Sequence, residues 1–182
     1  MRAFVAFDIP QPVKDYLNKL TFELSKRLDG VRWVRSENQH LTIKFLGDID
    51  ESLIEKIISA INNITETTSA FKVGFKGLEG FPNCHMARVI VITLSQGVEE
   101  LKRIFHLLEK ELARLGFSKE DREFIPHITL GRRKNPKPLR EIIQIEPLEF
   151  IVEDLVFYKS TLTKLGPIYE PIWKLKLKER SW

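Results

Sequence analysis

Two of the four histidines in the chain stand in the same short pattern, a histidine followed two residues later by a threonine. The first copy begins at His40 with the letters HLTI, the second begins at His127 with HITL, and the two histidines are 87 residues apart. Successive side chains of a β-strand point to opposite faces, so each His–Thr pair would share one face. We expect Leu41, Ile43 and Phe45 to enter a core beneath the first pair.

Two imidazoles on opposite sides of one phosphorus atom could catalyse in-line substitution. The attacking oxygen must lose a proton while the leaving oxygen gains one, and the two lie on opposite sides of phosphorus. Histidine, with an unperturbed pKa of about 6.5, can act as base or acid near neutral pH. The hydroxyls of Thr42 and Thr129 could donate hydrogen bonds to the non-bridging phosphate oxygens. Such chemistry requires neither a metal nor a nucleotide cofactor.

A single His-x-Thr on a strand is usually structural, so the functional interpretation depends on the repetition. The other histidines lack such a partner: His85 falls in a polar turn and His106 on the polar side of a predicted helix. We interpret both histidines, and the single cysteine Cys84, as ordinary surface or packing residues.

The elements around the two motifs repeat in the same order. In each half an apolar run predicts a strand, a three-to-four-residue apolar spacing predicts a helix, and a glycine precedes the His–Thr strand. Gly30 and Gly116 stand where a helix C-cap is expected. This order predicts duplicated halves within a single bilobal domain over residues 1–182.

Many strands with hairpin-like returns and few helices predict the α+β class. We expect two pseudo-symmetric lobes, each a mainly antiparallel sheet with helices on the outside, around a central cleft. Near the C-terminus, alternating apolar and lysine residues predict a half-buried strand with Trp173, Leu175 and Leu177 on its buried face.

The composition limits the class of protein. With 182 residues, 43% hydrophobic and 30% charged, the chain reads as globular, and no apolar run approaches the roughly 20 residues of a membrane span. A net charge of +4 is compatible with a polyanionic partner. One cysteine is typical of a reducing cytoplasm, and we see no signal peptide, zinc-binding or phosphate-loop motif.

Several segments together resemble the two-histidine phosphoesterase superfamily, and within it the RNA 2′,3′-cyclic phosphodiesterases, also called 2′-5′ RNA ligases. The similar segments are FVAFDIP, VRWVRSENQHLTIKFLGDI, GFPN, ARVIVITL and FIPHITLGR, in the family's order. The resemblance implies a bilobal fold with a central cleft and the opening of an RNA 2′,3′-cyclic phosphate to a 2′-phosphate. It also implies ATP-independent joining of such an end to a 5′-hydroxyl through a 2′-5′ bond, as in tRNA halves.

The resemblance also implies roles for individual residues. His40 would be the proton donor to the leaving oxygen and His127 the acceptor that activates water, an order that the near-symmetric sequence leaves open by itself. Thr42 and Thr129 would bind phosphate. Arg132 could hold a phosphate bidentately, or be one more charge of the basic loop RRKNPKP. No metal or cofactor is implied, and we expect a cytoplasmic monomer whose partner is RNA, with neither a membrane nor an obligate protein partner.

Two other classes of function stay open at this point. An RNA- or nucleotide-binding module with the same cleft would bind RNA with a steep salt dependence and form no product. A metal hydrolase would use the histidines as ligands, although the sequence shows no carboxylate cluster beside them.

Overall fold

A computed structural model describes residues 1–140 and 143–182. In these residues the chain forms nine β-strands and three α-helices. The strands are β1 (Arg2–Phe7), β2 (Val31–Trp33), β3 (Leu41–Asp48), β4 (Phe71–Phe81), β5 (Ala87–Gln96), β6 (His127–Lys137), β7 (Glu149–Val152), β8 (Asp154–Thr163) and β9 (Gly166–Lys176). The helices are α1 (Gln11–Ser25), α2 (Ile54–Thr65) and α3 (Val98–Ala113). Within the described ranges, no helix is long and apolar enough to cross a membrane.

The strands form two antiparallel sheets. The first has the order β3-β1-β8-β9 and the second the order β2-β6-β5-β4-β7. Every pair of neighbouring strands in either sheet is antiparallel. The expected α+β class with two mainly antiparallel sheets is therefore confirmed.

The two sheets place their His–Thr strands in equivalent positions. In the first sheet β3 lies beside β1, and in the second β6 lies beside β5, so the unit β1-α1-β3 recurs as β5-α3-β6. The short strand β2 breaks this equivalence, because it comes from the first half and pairs with β6 of the second sheet. A single bilobal domain with duplicated halves stays a prediction, and this recurring order of elements is consistent with it.

Both His–Thr strands carry a β-bulge at the same position. In the pairing of β3 with β1, Ile43 is the extra residue, because its neighbours on both sides have partners on β1 and it has none. Leu130 is the extra residue in the pairing of β6 with β5. Each of these residues stands three positions after its histidine. A bulge inserts one residue into a strand, so beyond it the alternation of faces is reversed.

The bulge in β3 explains why the expectation for Phe45 is wrong. Leu41 and Ile43 are buried as predicted, but Phe45 is 60% exposed. Beyond the bulge it is Lys44, only 4% exposed, that enters the interior. The reversed alternation turns the ring of Phe45 to the same side as the His–Thr pair.

Two smaller expectations are also wrong. Trp173 is 51% exposed, because the register of β8 and β9 shifts beside it. Gly30 does not cap α1, which ends at Ser25 and continues as a turn that buries Leu28. Gly116 does end α3 as predicted, with a φ of 94° and backbone hydrogen bonds that close the last turn.

One cluster of buried apolar side chains contains residues from both sheets and all three helices. Phe7 of the first sheet meets Phe71 of the second, with ring centroids 5.8 Å apart at 89°. Tyr16 of α1 packs near Phe75 of the second sheet, at 6.3 Å between ring centroids. Because this core joins the sheets, it also fixes how β3 and β6 lie relative to each other.

The turn between β5 and α3 offers a test of this packing. Gly97 has a φ of 83°, and a Cβ atom there would lie 2.6 Å from the carbonyl oxygen of Lys72. Gly97→Ala should lower the free energy of unfolding by about 1–3 kcal/mol, because it adds backbone strain to a steric clash. Gly77→Ala in β4 is the matched control, since its Cβ would meet nothing within 4 Å. Urea unfolding followed by circular dichroism measures both, and equal stability of the two variants would contradict the packing described.

Candidate active site

The two His–Thr pairs line one cleft. A cavity of about 750 Å³ is bordered by His40 and Thr42 from the first sheet and by His127 and Thr129 from the second. In both strands the residue between the histidine and the threonine is buried, as the alternation predicts. The structure thus brings together two His–Thr pairs whose histidines are 87 residues apart in the sequence.

Both histidines are held by the same kind of hydrogen bond. Nδ1 of His40 lies 3.0 Å from the carbonyl oxygen of Asn38, and Nδ1 of His127 lies 2.6 Å from that of Ile125. In each case the carbonyl belongs to the residue two positions earlier. A carbonyl oxygen can only accept, so Nδ1 carries a proton in both rings. Nε2 is therefore the nitrogen available for chemistry, as a base in the neutral ring and as an acid in the imidazolium.

Aromatic rings surround His40 on the cleft side of the first sheet. Its ring centroid lies 4.5 Å from that of Tyr158, 5.7 Å from that of Tyr169 and 6.1 Å from that of Phe4. These rings belong to a second, smaller apolar cluster, separate from the main core. His40 is only 8% exposed as a result. The neighbourhood of His127 is less crowded, with the ring of Phe81 edge-on at 4.9 Å.

Burial disfavours the charged form of both imidazoles. It lowers the pKa of His40 to about 4, and the positive charge of Lys14 acts in the same direction, against the carbonyl of Asn38. Burial also lowers the pKa of His127. The hydrogen bond to the carbonyl oxygen of Ile125 raises this pKa, and the positive charge of Arg132 lowers it. In the unliganded protein both rings are therefore neutral at pH 7.

The position five residues after each histidine also faces the cleft. These positions are Phe45 and Arg132, and both side chains line the cavity. The equivalent bulges cause this, because each reverses the alternation between the threonine and the third residue after it. The first half thus contributes an exposed aromatic ring, and the second contributes a guanidinium group. Sequence reasoning found Arg132 but missed Phe45, since a strict two-residue period does not reveal a bulge.

The segment between α3 and β6 forms another wall of the cleft. Residues 118–125 belong to neither a helix nor a strand, and their cleft-lining members are Glu120, Arg122, Glu123, Phe124 and Ile125. Arg122 adds a second arginine to the cleft. Sequence reasoning missed this wall, because an irregular segment has no periodicity by which its buried or inward side could be recognised.

The other two histidines and the cysteine lie outside the cleft. His85 and His106 are exposed, as is Cys84 in the turn between β4 and β5. Trp33 packs against the main core, and Tyr158 lies buried against His40. Among residues 1–140 and 143–182 there is no group of three or more His, Cys, Asp or Glu side chains that could hold a metal ion.

Comparison with known proteins gives consistent matches over nearly the whole chain. The family model described as LigT like Phosphoesterase matches residues 7–91 and again residues 92–169, and each stretch contains one His–Thr pair. A Methanocaldococcus jannaschii protein named RNA 2′,3′-cyclic phosphodiesterase is 38% identical over 179 residues, covering 94% of this chain and 98% of that protein. A Thermotoga maritima protein of the same name is 35% identical over 178 residues, covering 96% and 94%.

Solved structures share the fold. A crystal structure of a Thermus thermophilus protein matches with a TM-score of 0.88 and 27% identity, covering 100% of both chains. The crystal structure of E. coli LigT complexed with 3′-AMP matches with a TM-score of 0.83 and 22% identity, covering 97% of both chains. The arrangement of two sheets around a cleft is therefore one that solved proteins also adopt.

Titration of the imidazoles by NMR tests the electrostatics of the cleft. In the unliganded protein, His40 should protonate with a pKa of about 4, and the pKa of His127 should lie below the ordinary value, because burial penalises the imidazolium. Inorganic phosphate should raise both values, since an anion between the rings favours their charged forms. The single variants His40→Gln and His127→Gln assign the signals. An ordinary or raised pKa for either ring without phosphate would contradict the burial described.

Proposed function

The chain belongs to the LigT-like phosphoesterase family, and from this membership we propose that it hydrolyses RNA 2′,3′-cyclic phosphate ends to 2′-phosphates. The observation that carries the proposal is the single cleft into which both histidines can offer Nε2. The names of the curated relatives support the substrate class. The two arginines of the cleft support an anionic substrate, because a guanidinium group pairs well with phosphate oxygens.

In the proposed reaction, water attacks phosphorus opposite the 3′ oxygen. His127 accepts a proton from the water through Nε2 while His40 donates a proton from Nε2 to the departing O3′. The P–O3′ bond breaks as the new P–O bond forms, leaving a 2′-phosphate and a 3′-hydroxyl. The proton taken by His127 returns to solvent, and His40 is reprotonated. No oxidant, metal or nucleotide takes part in this balance.

The order of the two histidines follows the family resemblance, and it requires the bound substrate to offset the burial and the Lys14 charge that disfavour protonation of His40. Arg132 favours the neutral form of His127, and a neutral ring is what the base requires. Asp8 is a carboxylate that favours protonation of His40, although burial and Lys14 outweigh it in the unliganded protein. The negative charge of a bound cyclic phosphate adds to the effect of Asp8. Binding of the substrate would thereby help to create the acid that the leaving oxygen needs.

The two threonines are suited to hold the non-bridging oxygens. Both side chains line the cavity, and neither hydroxyl of Thr42 or Thr129 makes a hydrogen bond within the described part of the chain. Each is therefore free to donate to a phosphate oxygen. Such donors stabilise negative charge on phosphorus in the transition state. Arg132 would neutralise part of the same charge.

The exposed ring of Phe45 supports a nucleotide as the substrate. It lies five residues after His40 on the cleft face, and its ring centroid is 5.9 Å from that of Phe4. Aromatic side chains in single-stranded RNA sites stack on bases without strong sequence preference. We infer that the base next to the cyclic phosphate packs on Phe45.

The same geometry supports 2′-5′ joining. If the 5′-hydroxyl of a second RNA takes the place of water, His127 accepts its proton and O3′ leaves as before. The product is then a 2′-5′ phosphodiester, and no nucleotide is consumed. Access of a second RNA end to the cleft decides between joining and hydrolysis.

Alanine variants of the two histidines test the mechanism. His40→Ala and His127→Ala should each slow hydrolysis of a nucleoside 2′,3′-cyclic phosphate by about 10²–10⁴-fold, because each removes one proton-transfer partner. His85→Ala and His106→Ala are matched controls that should keep the wild-type rate. Product analysis by ³¹P NMR should give the 2′-phosphate, and EDTA should leave the rate unchanged. Near wild-type turnover by either cleft variant would rule out the mechanism, whereas RNA binding by the wild type without any product would favour a binding module.

A phenylalanine pair tests the base platform. Phe45→Ala should raise KM for nucleoside 2′,3′-cyclic phosphates by roughly 5- to 100-fold, since stacking is worth about 1–3 kcal/mol per base. Phe22→Ala is the control, because Phe22 is 62% exposed on α1 and does not line the cleft. Steady-state kinetics with all four bases measures the effect. An unchanged KM in Phe45→Ala would show that the base lies elsewhere.

A further inference from the structure

We propose that the buried ion pair between Lys44 and Glu109 is a positioning device that holds residues 118–125 in place as a wall of the cleft. Lys44 belongs to the His–Thr strand of the first half, and Glu109 belongs to α3 of the second. The inference rests on the proposed function in one respect, because the rate of hydrolysis is one of the quantities that test it.

The burial of this pair is unusual for its residue types. Lys44 is 4% exposed and Glu109 is 6% exposed, and their side chains form a salt bridge. Lysine and glutamate are almost never fully buried unless paired. The bulge at Ile43 explains how Lys44 enters the interior, because a regular strand would have pointed it to the opposite face. The charge of Lys44 then requires a partner, which α3 supplies.

Each member of the pair also holds the backbone of the same segment. Nζ of Lys44 donates a hydrogen bond to the carbonyl oxygen of Ser118, at 3.1 Å. Oε2 of Glu109 accepts one from the backbone N–H of Glu120, at 2.7 Å. The pair therefore holds the carbonyl oxygen of Ser118 and the backbone N–H of Glu120, the residues immediately before and after residue 119. In a segment with neither helix nor strand, side-chain bonds of this kind take over the role of regular backbone pairing.

The held segment leads directly to the second histidine. It ends at Ile125, whose carbonyl oxygen accepts the hydrogen bond of Nδ1 of His127. Phe124, one residue earlier, stacks on Phe105 of α3 at 4.5 Å between ring centroids. A shift of the segment would therefore move the carbonyl that orients the imidazole. In this way a lysine next to the first motif acts on the histidine of the second motif through Glu109 and the segment.

Stability alone does not account for such a pair. Replacing a buried ion pair by apolar residues of similar volume is often neutral or stabilising, whereas removing one partner leaves a costly unpaired charge. A double apolar variant therefore separates positioning from folding. Lys44→Met combined with Glu109→Met removes both charges together and keeps the approximate volume.

The double variant should fold and yet lose turnover. We expect an unfolding free energy no lower than that of the wild type, together with a decrease in kcat of about 10²-fold, the size of effect that a small misplacement of reacting groups can cause. Hydrogen exchange of the backbone amides of residues 119–125 should become faster. Lys102→Met is the matched control, because it removes an exposed ion pair with Glu123 between the same helix and segment. It should change kcat less than twofold.

A second comparison leaves the ion pair itself intact. Glu120→Pro removes the N–H that Glu109 binds, whereas Glu120→Ala keeps it. If the proposal is right, the proline variant turns over about tenfold or more slowly than the alanine variant, and this comparison stands even if the double variant does not fold.

Three results would overturn the proposal: a folded double variant with wild-type kcat, unchanged amide exchange in that variant, or equal rates for the two Glu120 variants. If the wild type hydrolyses none of the four nucleoside 2′,3′-cyclic phosphates, the proposed function fails instead. The amide exchange of residues 119–125 still tests the positioning role in that case.

Discussion

The hydrogen bond from Nδ1 of each histidine to the carbonyl oxygen two residues earlier is the constraint on which the site depends. It fixes the tautomer, because a carbonyl accepts and cannot donate. It also restrains the ring, so that Nε2 is the nitrogen left without a carbonyl partner in both halves. Without this pair of bonds, two histidines in one cleft would be only two titratable groups. With both bonds in place, the two rings meet the requirement of the mechanism that we propose, in which they serve one phosphorus atom as acid and base.

The second requirement is that equivalent strands present equivalent faces. The bulges at Ile43 and Leu130 lie at the same distance from their histidines and reverse the alternation in the same way. They extend the cleft-facing set from two residues to three in each half. What differs is the residue at the third position, Phe45 in one half and Arg132 in the other. A symmetric backbone thus supports an asymmetric site, with an aromatic ring on one side and a positive charge on the other.

The sequence predicted the parts of the molecule that follow from a regular period. The faces of the helices, the α+β class and the placement of His40 and His127 in one cleft follow from alternation and from the order of elements in the two halves. Two of the errors have the same cause: Phe45 and Trp173 stand beside register shifts, where one extra residue breaks a two-residue period. The prediction that Gly30 caps α1 is wrong because Leu28, which looks like the last apolar residue of the helix, lies in a turn that follows it. The wall at residues 118–125 was missed because the contacts that hold it come from Lys44 and Glu109, which are distant in the sequence. No local sequence pattern predicts such a pair.

The strand β2 has a consequence for how the two halves depend on each other. It comes from the first half but pairs along β6, where Arg32 is opposite Arg132 and Trp33 is opposite Gly131. β2 therefore covers the part of β6 from Gly131 to Arg133, and exposed edges are where sheets of separate molecules add to each other. A second half alone would present the open backbone of this part of β6 to solvent, with the risk of self-association beside the cleft. The first half thus protects part of the edge of the second sheet from pairing with other molecules.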